Sequence, residues 1–115
     1  VIEEAADQYF DLNHKTKTSM YKYMLATCPV KQAKLLEAIT HVDGSGRAQT
    51  VNRKTNAKFY DLLKAYEQLS GIPVLINTSY NLRGEPIVRT AADAMNTFYK
   101  SGLDALVINN YLIEK

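Results

Sequence analysis

The apolar positions of the chain change period along its length. Between Asn56 and Gly71 they recur as Phe59, Leu62, Leu63, Tyr66 and Leu69, the spacing of one face of an amphipathic helix. Gly71 supplies a left-handed stop, and Pro73 stands two residues beyond it. Ile72-Pro73-Val74-Leu75-Ile76 is then almost wholly apolar, the pattern of a short strand covered on both faces. After a polar stretch, Thr90-Ala91-Ala92-Asp93 opens a second helix with a Thr cap and an acid three residues on, and Gly102 closes it. Leu103 to Ile108 reads as another buried strand, with Tyr111-Leu112-Ile113 as a last edge piece.

Before Asn56 the signals are shorter. Val1 to Phe10 has helical composition from its first position with no capping residue ahead of it, so it reads as a helix cut from something longer and the chain as the tail of a larger polypeptide. Asp11 to Ser19 is polar and turn-like. Met20 to Cys28 reads as a strand that Pro29 stops, Lys31 to Ile39 as a short helix, and Arg47 to Val51 as a short alternating strand. Between these last two, the glycines and Asp of His41-Val42-Asp43-Gly44-Ser45-Gly46 call for a turn. Strand, helix, strand, helix, strand is the order of parallel pairing with crossover helices, so the expected class is α/β.

Length and charge narrow the picture. With 115 residues, 46% of them hydrophobic, the chain has one core's worth of apolar surface, one domain or part of one, and is not of disordered composition. Fourteen basic against twelve acidic residues leave a formal charge of +2, too balanced to make nucleic acid the expected partner. The single Cys28 cannot form an internal disulfide, no apolar run approaches the length of a membrane span, and the acidic start is no signal segment. A soluble, cytoplasmic protein is expected.

In open α/β sheets, ligands sit at the carboxyl ends of strands, where loops converge and helix N-termini present free N–H groups. The loop after Ile76 is therefore the first candidate. Asn77-Thr78-Ser79-Tyr80-Asn81-Leu82-Arg83-Gly84 offers hydroxyls, carboxamides, a guanidinium and a glycine that permits close backbone approach, a set suited to phosphate or carboxylate oxygens. The same residues could equally build a surface turn. Arg47, after the glycine-containing turn, could aim its fork at the same crevice or stay a solvated strand-end charge; Arg53, Lys54 and Arg89 read as surface charges that could widen a positive rim. His14, His41 and Cys28 lack the spacing of a zinc site, so no protein metal centre is expected. Cys28 reads as a packed residue in an apolar strand, and His41 with Asp43 as a turn-stabilising pair.

Ile76 to Pro86 resembles the loop of YrdC-like threonylcarbamoyl-adenylate synthases. Thr40-His41-Val42-Asp43-Gly44-Ser45-Gly46-Arg47-Ala48-Gln49-Thr50-Val51, followed by that loop and by Ser101-Gly102-Leu103-Asp104-Ala105-Leu106-Val107, is similar to the C-terminal domain of O-carbamoyltransferases of nodulation and antibiotic biosynthesis. The resemblance runs through the whole chain. It implies a YrdC-like twisted open sheet with crossover helices, whole or in part, joining carbamoyl phosphate and ATP into carbamoyl adenylate. An N-terminal actin-like ATPase-fold domain of the same polypeptide would then pass the carbamoyl group to a small-molecule hydroxyl acceptor. It further implies that Arg47, Ser79 and Asn81 act on the reactants, with Asn77, Thr78 and Arg83 as further ligand-binding donors. Mg²⁺ would come on the ATP phosphates, and Fe²⁺ would belong only to the N-terminal domain. Tyr80 stands where such proteins commonly have Phe, and Arg89 where a smaller residue is expected. Because the resemblance places further basic contacts upstream of Val1, the isolated chain is expected to turn over slowly or not at all. The alternative is a YrdC-like nucleotide- or RNA-binding module without chemistry of its own.

Overall fold

The computed structural model describes residues 1–13 and 19–115. Most of the polar segment expected from Asp11 to Ser19, His14 included, lies outside the described residues. The chain divides into two compact units, Val1–Ile76 and Asn77–Lys115.

The first unit is built around its N-terminal segment. A 3-10 turn, Glu3–Ala5, runs into helix α1, Ala6–Tyr9. Ile2, Ala5, Ala6 and Tyr9 are buried while Glu3, Glu4, Asp7 and Gln8 face solvent, which is the amphipathic division that helical spacing imposes. Ile2 bridges Val51 in parallel, with Glu3 N–H donating to Val51 O at 2.9 Å and Val51 N–H to Val1 O at 2.9 Å. The strand expected from Arg47 to Val51 is reduced to that bridge. Strand β1, Cys28–Pro29, pairs antiparallel with β2, Ser45–Gly46.

The expected strand from Met20 to Cys28 is mostly something else. Ser19–Lys22 forms helix α2, Leu25 N–H returns to Met20 O at 2.9 Å, and Met24 takes a left-handed φ of 55° that breaks any extended run. Lys31 to Ile39 forms successive turns ending in a 3-10 helix, Glu37–Ile39, rather than an α-helix. Helix α3, Ala57–Ser70, appears where the periodicity places it. Asn56 accepts from Phe59 N–H at its start, and Gly71 at φ 77° ends it, a conformation that costs a residue with a Cβ free energy. Of the expected apolar stripe, Leu63 is fully buried and Phe59 packs on the core, whereas Leu62 and Leu69 are exposed. Ile72–Ile76 differs too: Pro73 is buried and Val74 and Leu75 pack on the core, yet among the described residues the segment joins no ladder. Pro73 has no N–H to give one.

In the second unit, Thr90 caps helix α4, Ala91–Lys100, in a reciprocal capping box: Asp93 N–H donates to Thr90 Oγ1 at 3.1 Å, and Thr90 N–H to Asp93 Oδ2 at 3.0 Å. The helix ends at Ser101, whose hydroxyl donates to Phe98 O. Phe98 is fully buried beneath it. Strands β3, Ala105–Ile108, and β4, Tyr111–Glu114, pair antiparallel in the register Ala105↔Glu114 to Ile108↔Tyr111.

Mixed helix and strand, the coarse α/β expectation, therefore holds, but among the described residues both sheets are two-stranded and antiparallel. For β3 and β4 the reason is local: Asn109 and Asn110 form a two-residue turn with Asn109 at φ 53°, and a connection that short permits only antiparallel pairing. Among the described residues no helix is long and apolar enough to cross a membrane.

Leu63→Ala should lower the unfolding free energy by about 2–5 kcal/mol, because the side chain is enclosed and its loss leaves a cavity. Urea denaturation reads the change. A loss under about 1 kcal/mol would show that the site collapses around the shorter side chain or that Leu63 is not in the core.

Candidate functional site

The loop from Asn77 to Arg89 lies in the second unit and is tied to α4 at its middle. Tyr80 is half-buried. Its hydroxyl donates to Ala94 O, inside α4, at 2.9 Å, and its carbonyl accepts from Val88 N–H at 3.1 Å. Asn81 closes the next turn: its carboxamide N–H₂ donates to Leu82 O at 3.2 Å and to Glu85 O at 2.9 Å, while Glu85 N–H donates to Leu82 O at 3.0 Å. Gly84, at φ 84°, makes that turn, and a Cβ there would meet no neighbouring atom, so it is the backbone angle alone that calls for glycine.

Asn77, Thr78 and Ser79, immediately before the tie, are exposed. The Thr78 and Ser79 hydroxyls have no hydrogen-bond partner among the described residues and remain available to a ligand. Arg83 is exposed on the far side of the Asn81 turn. Asn81 thus differs from the simple ligand donor that the resemblance implies, since both of its N–H vectors are spent on the loop. What it keeps is Oδ1, a buried acceptor with no partner. Native structures rarely leave such an atom unpaired.

Arg47 belongs to the first unit. Gly46 and Ala48 on either side of it are buried, whereas Arg47 itself is exposed. A Cβ on Gly46 would lie 3.0 Å from both Ile39 O and Val30 Cγ2, so a side chain here would force these neighbours to give by a few tenths of an ångström. The preceding turn is tightly bonded. His41 N–H donates to Ser45 O at 2.7 Å, Gly44 N–H to His41 O at 2.9 Å, and Ser45 N–H to Asp43 Oδ1 at 2.9 Å. His41 Nδ1 meets Ser45 Oγ at 3.0 Å. The His41–Asp43 pair read from the sequence is thus joined through Ser45, a residue that composition alone did not single out. Hydrogen bonds from Ser45, first from its side chain and then from its backbone, hold the Asp43 carboxyl below its ordinary value.

The remaining candidates have structural roles. Cys28 is buried, its Sγ 3.7 Å from Gly46 O, and burial pushes its thiol up, away from the thiolate a nucleophile needs. Arg53 forms an exposed ion pair with Asp61 at 3.0 Å. Among the described residues no group of three His, Cys, Asp or Glu side chains could hold a metal ion. A cleft of about 220 Å³ lies between Glu85–Arg89 and the α4 residues Asp93, Asn96 and Thr97. It is smaller than the roughly 300–1,000 Å³ of small-molecule pockets, and of the residues weighed above for ligand contact Arg89 alone lines it.

A family model described as the carbamoyltransferase C-terminus matches residues 1–115. The chain belongs to this family. It is 42% identical over its whole length to a nodulation protein, NolNO, of Sinorhizobium fredii, and 39% identical over 99% of its length to the nodulation protein NolO of Bradyrhizobium diazoefficiens. Over 76% of its length it is 36% identical to the 3'-hydroxymethylcephem-O-carbamoyltransferase of Amycolatopsis lactamdurans. It spans 17%, 21% and 17% of those three proteins. This carbamoyltransferase C-terminal region therefore carries two candidate elements, the Arg47 turn in one unit and the Thr78–Asn81 loop in the other.

The lowered carboxyl of Asp43 gives the turn a pH signature. A folded pKa below the ordinary 3.8 contributes stability that is present above that value and is lost as pH falls through the folded value. Asp43→Asn should therefore melt below the wild type near pH 6, and the gap should narrow as acidification carries the solution below the ordinary carboxylate range. A gap that stays constant or widens would contradict the assignment.

Proposed function

We propose that this chain is the C-terminal, YrdC-like part of a soluble, cytoplasmic, ATP-dependent O-carbamoyltransferase, and that it forms carbamoyl adenylate from carbamoyl phosphate and ATP. The observation that carries the reading is the family match from the first residue to the last. The donor set supports it. Both reactants are anions that repel each other, and a site for them needs N–H and O–H groups fixed before the reactants arrive, so that orientation and charge neutralisation lower the barrier. Thr78 and Ser79 offer hydroxyls on a tied backbone, and Arg47 and Arg83 offer exposed guanidinium forks.

Each group has a distinct part. Arg47 neutralises and orients a phosphate through its planar fork. Ser79, with Thr78 and Asn77 beside it, donates to phosphoryl or carbamoyl oxygens. Asn81 holds the loop and leaves Oδ1 for an N–H, which carbamoyl phosphate supplies and a phosphate ester does not. In the balanced reaction one water is consumed: phosphate leaves the carbamoyl carbon, a carbamate oxygen bonds to the α-phosphorus of ATP, and pyrophosphate departs. The loop's donors fit anions rather than a cation, so Mg²⁺ would be held by ATP oxygens and water and would offset phosphate charge there. An N-terminal actin-like ATPase-fold domain, with Fe²⁺, would complete transfer to the hydroxyl acceptor, and RNA is not a partner in this reading.

The test is pyrophosphate release by the full-length polypeptide in the presence of carbamoyl phosphate. Arg47→Ala and Ser79→Ala should each lower the rate by roughly 10²-fold, the loss typical of one transition-state donor, without lowering Tm. Release that does not depend on carbamoyl phosphate, or variants that match the wild type, would overturn the reading.

A further inference from the structure

We propose that Tyr80 is a positioning residue whose hydroxyl straps the ligand loop to α4 and so sets the placement of Ser79 and Asn81. The inference rests on the function proposed above for its kinetic consequence, and on geometry alone for the strap.

Tyr80 sits between the two residues whose side chains matter most in the loop, and it is anchored at both ends. Through its side chain, the hydroxyl reaches Ala94 O at 2.9 Å, on a buried residue of α4. Through its main chain, the carbonyl receives Val88 N–H at 3.1 Å, closing the loop into a ring that runs from Tyr80 to Val88. The helix that takes the strap is itself fixed at its first turn by the Thr90–Asp93 capping box and inward by Phe98. Ser79 is exposed and its hydroxyl has no partner among the described residues, so its position is inherited from the peptide that joins it to Tyr80. Asn81 reaches Leu82 O and Glu85 O only if the chain leaves Tyr80 in the observed direction. The phenol hydroxyl bonds to α4 and not to the proposed ligand-facing groups. It acts through them.

A tyrosine suits this task better than a purely apolar ring. Ring burial alone holds a side chain against a helix without fixing its depth, whereas a hydroxyl-to-carbonyl bond sets both distance and direction. Removing only the oxygen therefore separates positioning from packing.

Tyr80→Phe in the full-length polypeptide is the test, read in two ways. Hydrogen exchange at Val88 N–H should accelerate roughly 3- to 10-fold, the effect of losing one net hydrogen bond, while exchange within α4 is unchanged. Carbamoyl phosphate-dependent pyrophosphate release should show kcat reduced by a similar factor of roughly 3- to 10-fold with Tm little altered. In a Ser79→Ala background the same substitution should cost less than it does in the wild type, because the part of its effect that runs through Ser79 is gone while the part through Asn81 remains. Unchanged Val88 exchange overturns the strap. Unchanged kcat, or a full additional loss in the Ser79→Ala background, overturns the positioning role. A wild-type polypeptide without carbamoyl phosphate-dependent release would contradict the function proposed above, and the exchange measurement would still decide the strap.

Discussion

The requirement that buried N–H groups find acceptors governs the loop between Ile76 and α4. Its tip carries few apolar side chains, so burial cannot hold it; hydrogen bonds must. They are satisfied inward by Val88 N–H, Glu85 N–H and the Asn81 carboxamide, and the loop becomes a defined shape on a capped helix. Thr78 and Ser79 stand just outside this bonded ring. Their exposure follows from the same economy: the groups needed for structure are paired, and the hydroxyls not needed are turned to solvent.

The Arg47 turn solves a parallel problem by different means. Here packing sets the limit. Gly46 lies where any side chain would press on Ile39 and Val30, and Val30 N–H fastens Gly44 O at 3.0 Å. Between buried Gly46 and buried Ala48, Arg47 has its backbone held in the core while its side chain is exposed. A rigid backbone beneath it removes the backbone part of the ordering cost of meeting an anion, while the long side chain still loses its rotamer freedom. Each unit therefore presents donors on a fixed support, the Arg47 guanidinium in the first and the Thr78 and Ser79 hydroxyls in the second.

What could be read from the sequence divides along the same lines. The Gly71 stop of α3 and the Thr90–Asp93 start of α4 are legible, because each acts within a few residues of itself; the Asn56 cap shows in the sequence only as the point where the period changes, and α4 ends at Ser101, one residue before the expected Gly102. The periodic stripe of α3 located the helix, but its burial was legible only in part: Leu63 and Leu69 look alike in sequence, and the fold encloses one and exposes the other. Strand pairing was the least legible. Ile72–Ile76 has the apolarity of a buried strand without the partner, and the two asparagines that reverse the chain after Ile108 were not weighed as a turn, although their left-handed tolerance dictates the antiparallel hairpin. Among the candidate residues, the loop was found from its donors. The internal commitments of Asn81 and the anchoring role of Tyr80 depend on Leu82, Glu85 and Ala94, and spacing gave no sign of them.

The central claim is that the loop fixed by Tyr80 and Asn81 presents the Ser79 hydroxyl to a reactant oxygen. A crystal structure of the full-length polypeptide with carbamoyl phosphate and a non-hydrolysable ATP analogue tests it most directly. The account predicts the Ser79 hydroxyl within about 3.2 Å of a phosphoryl or carbamoyl oxygen, with the Tyr80 bond to Ala94 O intact. A bound ligand that Ser79 does not touch would contradict it.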